Sequence, residues 1–387
     1  MLRAKSSACA HAMLKHRLPR YNFEPLTRKK SAPSVSEQFL RLLRPISKLA
    51  LLLVSLWLFV LAISLMKAGA RELGPFIQSW FSLENFANSL GFGWLFAYGV
   101  MSGSPVAAAA LTFFDAGVVR DLDAFAMITG SRLGASLIVL LIGFVYVLRG
   151  RSRAESLGMG LMSFSVTGST YLLALLPGYL LLANNTVDNI QLGSGTVVTS
   201  LLESLFDPVV GWLDAVLPGW MLFAVGIAVI LLSFRLFDDL LPTEAIKKSP
   251  VGKLSSLAYK PFVMFVLGSL ITLISMSVSV SISILVPLSQ RGFVRRENVI
   301  PYIMGANITT FIDTLLAAVL LGNPRAFTVV LVEMLSISLV STLILFFVYS
   351  PYERTVLKFV SWLVANNRNL AVFILLIFVI PLLLLVV

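Results

Sequence analysis

The chain has 387 residues, 58% of them hydrophobic and only 13% charged, with a formal net charge of +11 and a mean hydropathy of +0.91. Soluble domains carry about 25% charged residues, so this composition excludes a water-soluble globule and marks an integral membrane protein. The single cysteine, Cys9, and both histidines, His11 and His16, lie near the N-terminus, which excludes disulfides, His/Cys metal sites and histidine catalysis from the apolar part.

In chain order, residues 1–48 hold eleven Lys/Arg against Glu24 and Glu37, a net +9 that leaves +2 for everything after. Lys/Arg excess marks cytoplasmic segments, so this is read as a cytoplasmic tail facing anionic headgroups, with an organelle-targeting segment as the alternative. "LALLLVSLWLFVLAISLM" (49–66) is apolar all round and predicts a first crossing, outward. A membrane β-barrel would instead show segments of about 10 alternating residues. Residues 86–117 carry glycines, serines and Pro105 in mid-course and predict a re-entrant hairpin. Crossings at 123–149 and 156–183 follow, separated by the basic "RGRSR" (149–153). Residues 184–216, with four acids and no Lys or Arg, predict an extracytoplasmic loop. Residues 217–236 cross inward to a segment carrying Lys247, Lys248, Lys253 and Lys260. A second hairpin, 262–290, ends beside Arg291, Arg295 and Arg296. Crossings at 300–321, 326–349 and 369–387 complete the chain, with 350–368 as a linker.

Two stretches superimpose on a shift of 175 residues. "MSGSPVAAAALTFFDAGVVRDLDAFAMITGSRLGASLIVLL" (101–141) and "MSVSVSISILVPLSQRGFVRRENVIPYIMGANITTFIDTLL" (276–316) are identical at ten of 41 positions without a gap. The matches include Met101/Met276, Ser102/Ser277, Ser104/Ser279, Gly117/Gly292, Arg120/Arg295 and Gly130/Gly305, and Gly93/Gly268 keeps the shift upstream. Three crossings and one hairpin per copy turn the second copy upside down. The expected fold is therefore an all-α polytopic membrane protein of two inverted repeats (49–183 and 217–349) with broken helices at the midplane, an architecture of secondary transporters.

"GFVRRENVIPYIMGANITTFIDTLLAA" resembles the type II sodium/phosphate cotransporter family, whose repeats carry a Gln-Ser-Ser-Ser hairpin tip and, about 31 residues on, the Asn of Gly-Ala-Asn-Ile-Gly-Thr-Thr. The spacing runs here from Met276 to Asn307 and from Met101 to Arg132, and "LFVLAISLMKAGARELGP" (58–75) is similar to the family's first helix of each repeat. Both glutamines are methionine in this chain, the middle serine is Gly103 or Val278, and the first-repeat asparagine is Arg132. With the sequence closing on an apolar helix, the family's C-terminal regulatory domain is not expected. The resemblance implies uptake of inorganic phosphate or a related anion driven by a cation, sodium by family, at the cell (inner) membrane with a cytoplasmic N-terminus. The departures leave a proton, a lipid phosphate or another oxyanion, and a non-transporting sensor or assembly subunit as alternatives.

The residues supply matching chemistry. Ser102, Ser104, Ser277 and Ser279 would offer hydroxyls at two facing tips, although membrane serines often bond back to their own helix. Half-helix N-termini favour anions. Gly130, Gly134 and Gly305 are expected to break the helix opposite each tip, or else to allow close packing, with Asn307, Thr309 and Thr310 at the break. Arg132 would hold the anion bidentately, or pair with Asp313 or Glu333. Ser281, Asp313 and Glu333 are the candidates for the coupling cation, since acids in the membrane often serve that role. No nucleophile–base pair, metal cluster or nucleotide loop is found, so neither an enzyme nor a cofactor is expected, and the only metal would be transported sodium. The expected partners are a small anion, a cation and the bilayer, not nucleic acid; a homo-oligomer is compatible with all of this.

Overall fold

The structure, a computed structural model, describes residues 35–81, 83, 85–150, 153–190, 192, 196–240, 260–278, 280–282 and 296–387. Residues 1–34 of the basic tail, Ser279, Arg291, Arg295 and the lysines 247–253 lie outside them. Two compact units are present, Met1–Ser47 and Lys48–Val387. Every regular element among the described residues is a helix. We name them α1 (Val35–Phe81), α2 (Phe86–Val100), α3 (Ser104–Asp115), α4 (Asp121–Leu148), α5 (Arg153–Ala183), α6 (Thr196–Asp214), α7 (Gly219–Leu240), α8 (Pro261–Ser275), α9 (Arg296–Thr309), α10 (Ile312–Leu320), α11 (Pro324–Phe347), α12 (Tyr349–Ala365) and α13 (Asn367–Val386).

Among the described residues, seven segments are long and apolar enough to cross a bilayer: Ser47–Ser79, Asp121–Val145, Leu157–Ala183, Gly219–Asp239, Glu297–Leu320, Pro324–Phe347 and Asn367–Val386. This is an all-α multi-pass membrane protein. Helices are the expected solution, because hydrocarbon offers no partner for free backbone groups.

Polar contacts define two ends of the bundle. At the first, Lys67 pairs with Asp115 at 2.9 Å, Asn323 donates to Asp115 at 3.0 Å, Gln78 donates to the Val118 carbonyl at 2.8 Å, and Arg325 joins Asp121 to Asp188. At the second, the Tyr349 hydroxyl donates to the Glu297 carbonyl at 3.1 Å and Phe262 packs on Phe346. The α2–α3 pair is rooted at the first end, whereas α8 starts from the second.

Contacts repeat at positions 175 apart. A Cβ on Gly93 would stand 2.1 Å from the Met127 carbonyl oxygen, and one on Gly268 2.1 Å from that of Tyr302. Likewise Gly130 abuts the Leu90 oxygen at 2.1 Å and Gly305 the Phe265 oxygen at 2.0 Å. Arm α2 thus lies on α4 as α8 lies on α9, backbone against backbone. The C-terminal helix α13 packs on the first of these pairs: Asn88 donates to the Leu385 carbonyl at 2.9 Å and Gly91 meets Pro381.

The structure corrects several expectations. Helix α4 runs unbroken through Gly130 and Gly134, and α9 through Gly305; these glycines remove a side chain where another helix's carbonyl oxygens press in, and do not break the ladder. The interruption falls at Thr310–Phe311, between α9 and α10. The expected loop 184–216 contains α6, and the expected linker 350–368 is largely α12. Both have one apolar face: Phe206 of α6, and Val356, Val360 and Leu363 of α12, are buried, at the three- and four-residue spacing of a helix stripe.

Candidate functional site

Arm α2 ends at Met101 in the left-handed conformation (φ 56°, ψ 32°) and α8 ends at Met276 in the same one (φ 50°, ψ 18°). Only one other non-glycine residue among those described, Asn185, has positive φ. For an L-residue this conformation costs on the order of 1–3 kcal/mol and persists where the surroundings impose it. It turns each arm sharply and puts the next residues, Ser102–Ser104 and Ser277–Val278, on one small cavity. The tips of two arms rooted at opposite ends therefore meet there.

The cavity measures about 50 Å³ and is also lined by Arg132 and Ser136 of α4, Ser163, Thr167 and Tyr171 of α5, and Asn307 and Thr310. One water needs ~10–15 Å³ and drug-sized ligands occupy ~300–1,000 Å³, so the space suits a small ion with a few waters. Helix α3 points its N-terminus at the cavity. Pro105 occupies its first turn and no side chain caps it, leaving backbone N–H groups and the positive end of the helix dipole free toward an anion. At the other tip, Ser277 Oγ accepts from the Val280 amide at 3.4 Å.

Arg132 is 5% exposed. Its Nη1 donates to Ser104 Oγ at 3.0 Å and to Thr310 Oγ1 at 3.4 Å; its Nη2 donates to Thr314 Oγ1 at 2.5 Å and to Asp313 Oδ1 at 3.3 Å. The guanidinium carbon lies 4.8 Å from the centroid of the Phe311 ring. Arg132 Nε, Asp313 Oδ2 and Glu333 Oε2 are buried without a hydrogen-bond partner among the described residues. Of the two acids weighed as partners of Arg132, Asp313 makes the ion pair; Glu333 instead accepts from Thr129 Oγ1 at 2.6 Å.

Of the residues singled out in the sequence, Ser102, Ser104, Arg132, Ser277, Asn307 and Thr310 share the cavity. Thr309 turns away and donates to the Ser269 carbonyl at 2.8 Å. Ser281 is buried in a hydroxyl cluster, 2.7 Å from both Thr272 Oγ1 and the Tyr302 hydroxyl, and does not line the cavity. Asp313 sits behind Arg132, and Glu333 lies away from the cavity. The contribution of α5 was missed. Ser163, Thr167 and Tyr171 are spaced by four and fall on one helix face; Asn307 Nδ2 donates to Thr167 at 3.1 Å and the Tyr171 hydroxyl to the Asn307 carbonyl at 3.1 Å. Polar residues at that spacing in the apolar run 157–183 are the signal that could have found them.

Comparison with family models, with curated proteins and with solved structures finds no match to the chain.

Proposed function

We propose that this protein is a secondary transporter that carries a small oxyanion, inorganic phosphate first among the candidates, together with a cation. The observation that carries the reading is the meeting of two tips, each turned by a left-handed methionine 175 residues from the other, at one cavity holding Arg132. Arms rooted at opposite ends of the bundle support two inverted copies, and such a pair lets one site open to either side in turn. Hydroxyls, an uncapped helix N-terminus and a guanidinium are the groups an oxyanion needs. The small volume favours an inorganic ion over a lipid phosphate. The resemblance to sodium/phosphate cotransporters points the same way.

Purified protein in liposomes, given a sodium or proton gradient and labelled phosphate, should accumulate label. Arg132→Asn should lower apparent phosphate affinity by about 10–150-fold, the equivalent of the ~1.5–3 kcal/mol in hydrogen bonds to a charged group. Undiminished transport by that variant removes Arg132 from the site. The resting Arg132–Asp313 pair favours a second reading, a membrane sensor that binds an ion without moving it; binding without accumulation in the same liposomes would establish that one.

A further inference from the structure

Arg132 touches the cavity and Asp313 does not. Their shared geometry bears on what accompanies the anion, and so rests on the transport reading. Asp313 uses one oxygen: Oδ1 accepts from Arg132 Nη2 and, at 2.8 Å, from Thr314 Oγ1, while Oδ2 is buried with no partner. Arg132 offers Nη1 and the unpartnered Nε as further donors. An entering oxyanion therefore competes with Asp313 for a single guanidinium.

We propose that Asp313 is the proton site of this transporter, and that the anion and the proton bind together through exchange of partners at Arg132. In the empty site Arg132 and Asp313 neutralise one another. When the anion takes the guanidinium, the Asp313 carboxylate is left buried without a counter-charge, a state that hydrogen bonds from Thr314 alone do not relieve. One proton added to Oδ2 restores neutrality: the carboxylate becomes a carboxylic acid, Arg132 keeps its charge, and the anion's negative charge replaces that of Asp313. Release of the anion returns Arg132 to Asp313 and expels the proton. A sodium ion on the same carboxylate would stand beside the guanidinium, two like charges in one low-dielectric spot; a proton merges into the group and avoids this.

The surroundings single out Asp313. From α11, Glu333 is held by Thr129 and feels Arg132 only through its charge, with no hydrogen bond between them, so an anion on Arg132 takes no bond from it, and Arg325 is engaged with Asp121 and Asp188. From α5 the Tyr171 hydroxyl faces the pair but is committed to the Asn307 carbonyl. From α3, Asp115 is paired with Lys67. Thr310, three residues before Asp313, lines the cavity and accepts from the same guanidinium.

The test is calorimetric titration of the full-length protein with inorganic phosphate, between about pH 6 and 8 and in buffers of different ionisation enthalpy, which counts protons taken up on binding. Wild type should take up about one proton more per phosphate than Asp313→Asn, and its affinity should fall more steeply as pH rises, because anion binding favours the protonated acid. Phosphate's own titration is common to both and cancels. Asp313→Glu, which keeps a carboxyl, should keep the wild-type count. In liposomes without sodium, wild type should accumulate phosphate when the outside is more acidic, and Asp313→Asn should not. Equal proton counts in wild type and Asp313→Asn overturn the proton site while leaving the transport reading standing. If Asp313→Asn does not fold, a wild-type count no greater than phosphate itself supplies has the same force. Failure of wild type to bind phosphate at all overturns both.

Discussion

The side chains of Arg132 and Asp313 are 5% and 1% exposed, so neither charge can be left alone cheaply. Removing one partner of a buried pair typically costs about 3–5 kcal/mol, because the other stays charged and unhydrated, whereas replacing both is far milder. Arg132→Asn and Asp313→Asn should each lower stability in detergent by an amount in that range, and the double variant by much less than the sum. The unfolding midpoints of the four proteins supply the double-mutant cycle; additive losses would mean that the two groups do not interact. Each residue was legible in the sequence as an expensive charge inside an apolar run. Their pairing was not: 181 residues separate them, and only the reach of the Arg132 side chain to the α9–α10 break decides that Asp313 and not Glu333 takes the guanidinium. Ser281 shows the same limit. The sequence offers it as a ligand for the coupling cation; the structure adds that Tyr302 and Thr272 bond it, and no local pattern announces them.

Between helices, the glycines carry the argument. Replacing a helical glycine by alanine gains up to about 1 kcal/mol in an open position, but overpacking typically loses about 1–3 kcal/mol or more. At Gly130 and Gly305 the added carbon would meet backbone oxygen at 2.1 and 2.0 Å, where no side chain can swing aside. The clash should win at both: Gly130→Ala and Gly305→Ala should destabilise by similar amounts, whereas Gly99→Ala, with nothing within 4 Å, should be neutral or stabilising. Thermal unfolding of the three variants checks this, and a harmless Gly305→Ala would break the equivalence of α8–α9 with α2–α4. The shift of 175 residues was readable from sequence because these glycines cannot vary without moving an arm. Which of their two possible roles holds was not readable, since a glycine that breaks a helix and one that lets a neighbour in look alike along the chain. Prolines are clearer. Pro381 and Pro301 lack the N–H that would bond the carbonyl four residues before, and those carbonyls, Ile377 and Glu297, accept instead from the hydroxyls of Tyr98 at 2.9 Å and Tyr349 at 3.1 Å. At these two sites, where a membrane helix gives up a backbone bond, a tyrosine from another helix restores it.

At the scale of the whole molecule the distribution of charge and the direction of the arms make one joint prediction. The first end of the bundle gathers Asp115, Asp121 and Asp188 around Lys67 and Arg325. The other end is where the first membrane span of α1 begins, next in sequence to the basic tail, and where Lys260 leads into α8. Since Lys/Arg excess marks the cytoplasmic side, Arg120, just beyond the first hairpin, should face outward and Lys260, at the root of the second, inward. In a Cys9→Ser background, Arg120→Cys should react with an impermeant maleimide in intact cells, and Lys260→Cys only after the membrane is opened. Both positions are exposed, so silence at either reports sidedness and not burial. Reaction of both from one side would root the two arms in the same leaflet. Tips entering from the same leaflet could not be exposed to opposite compartments in turn, and the cavity between them would then be a binding pocket with one door.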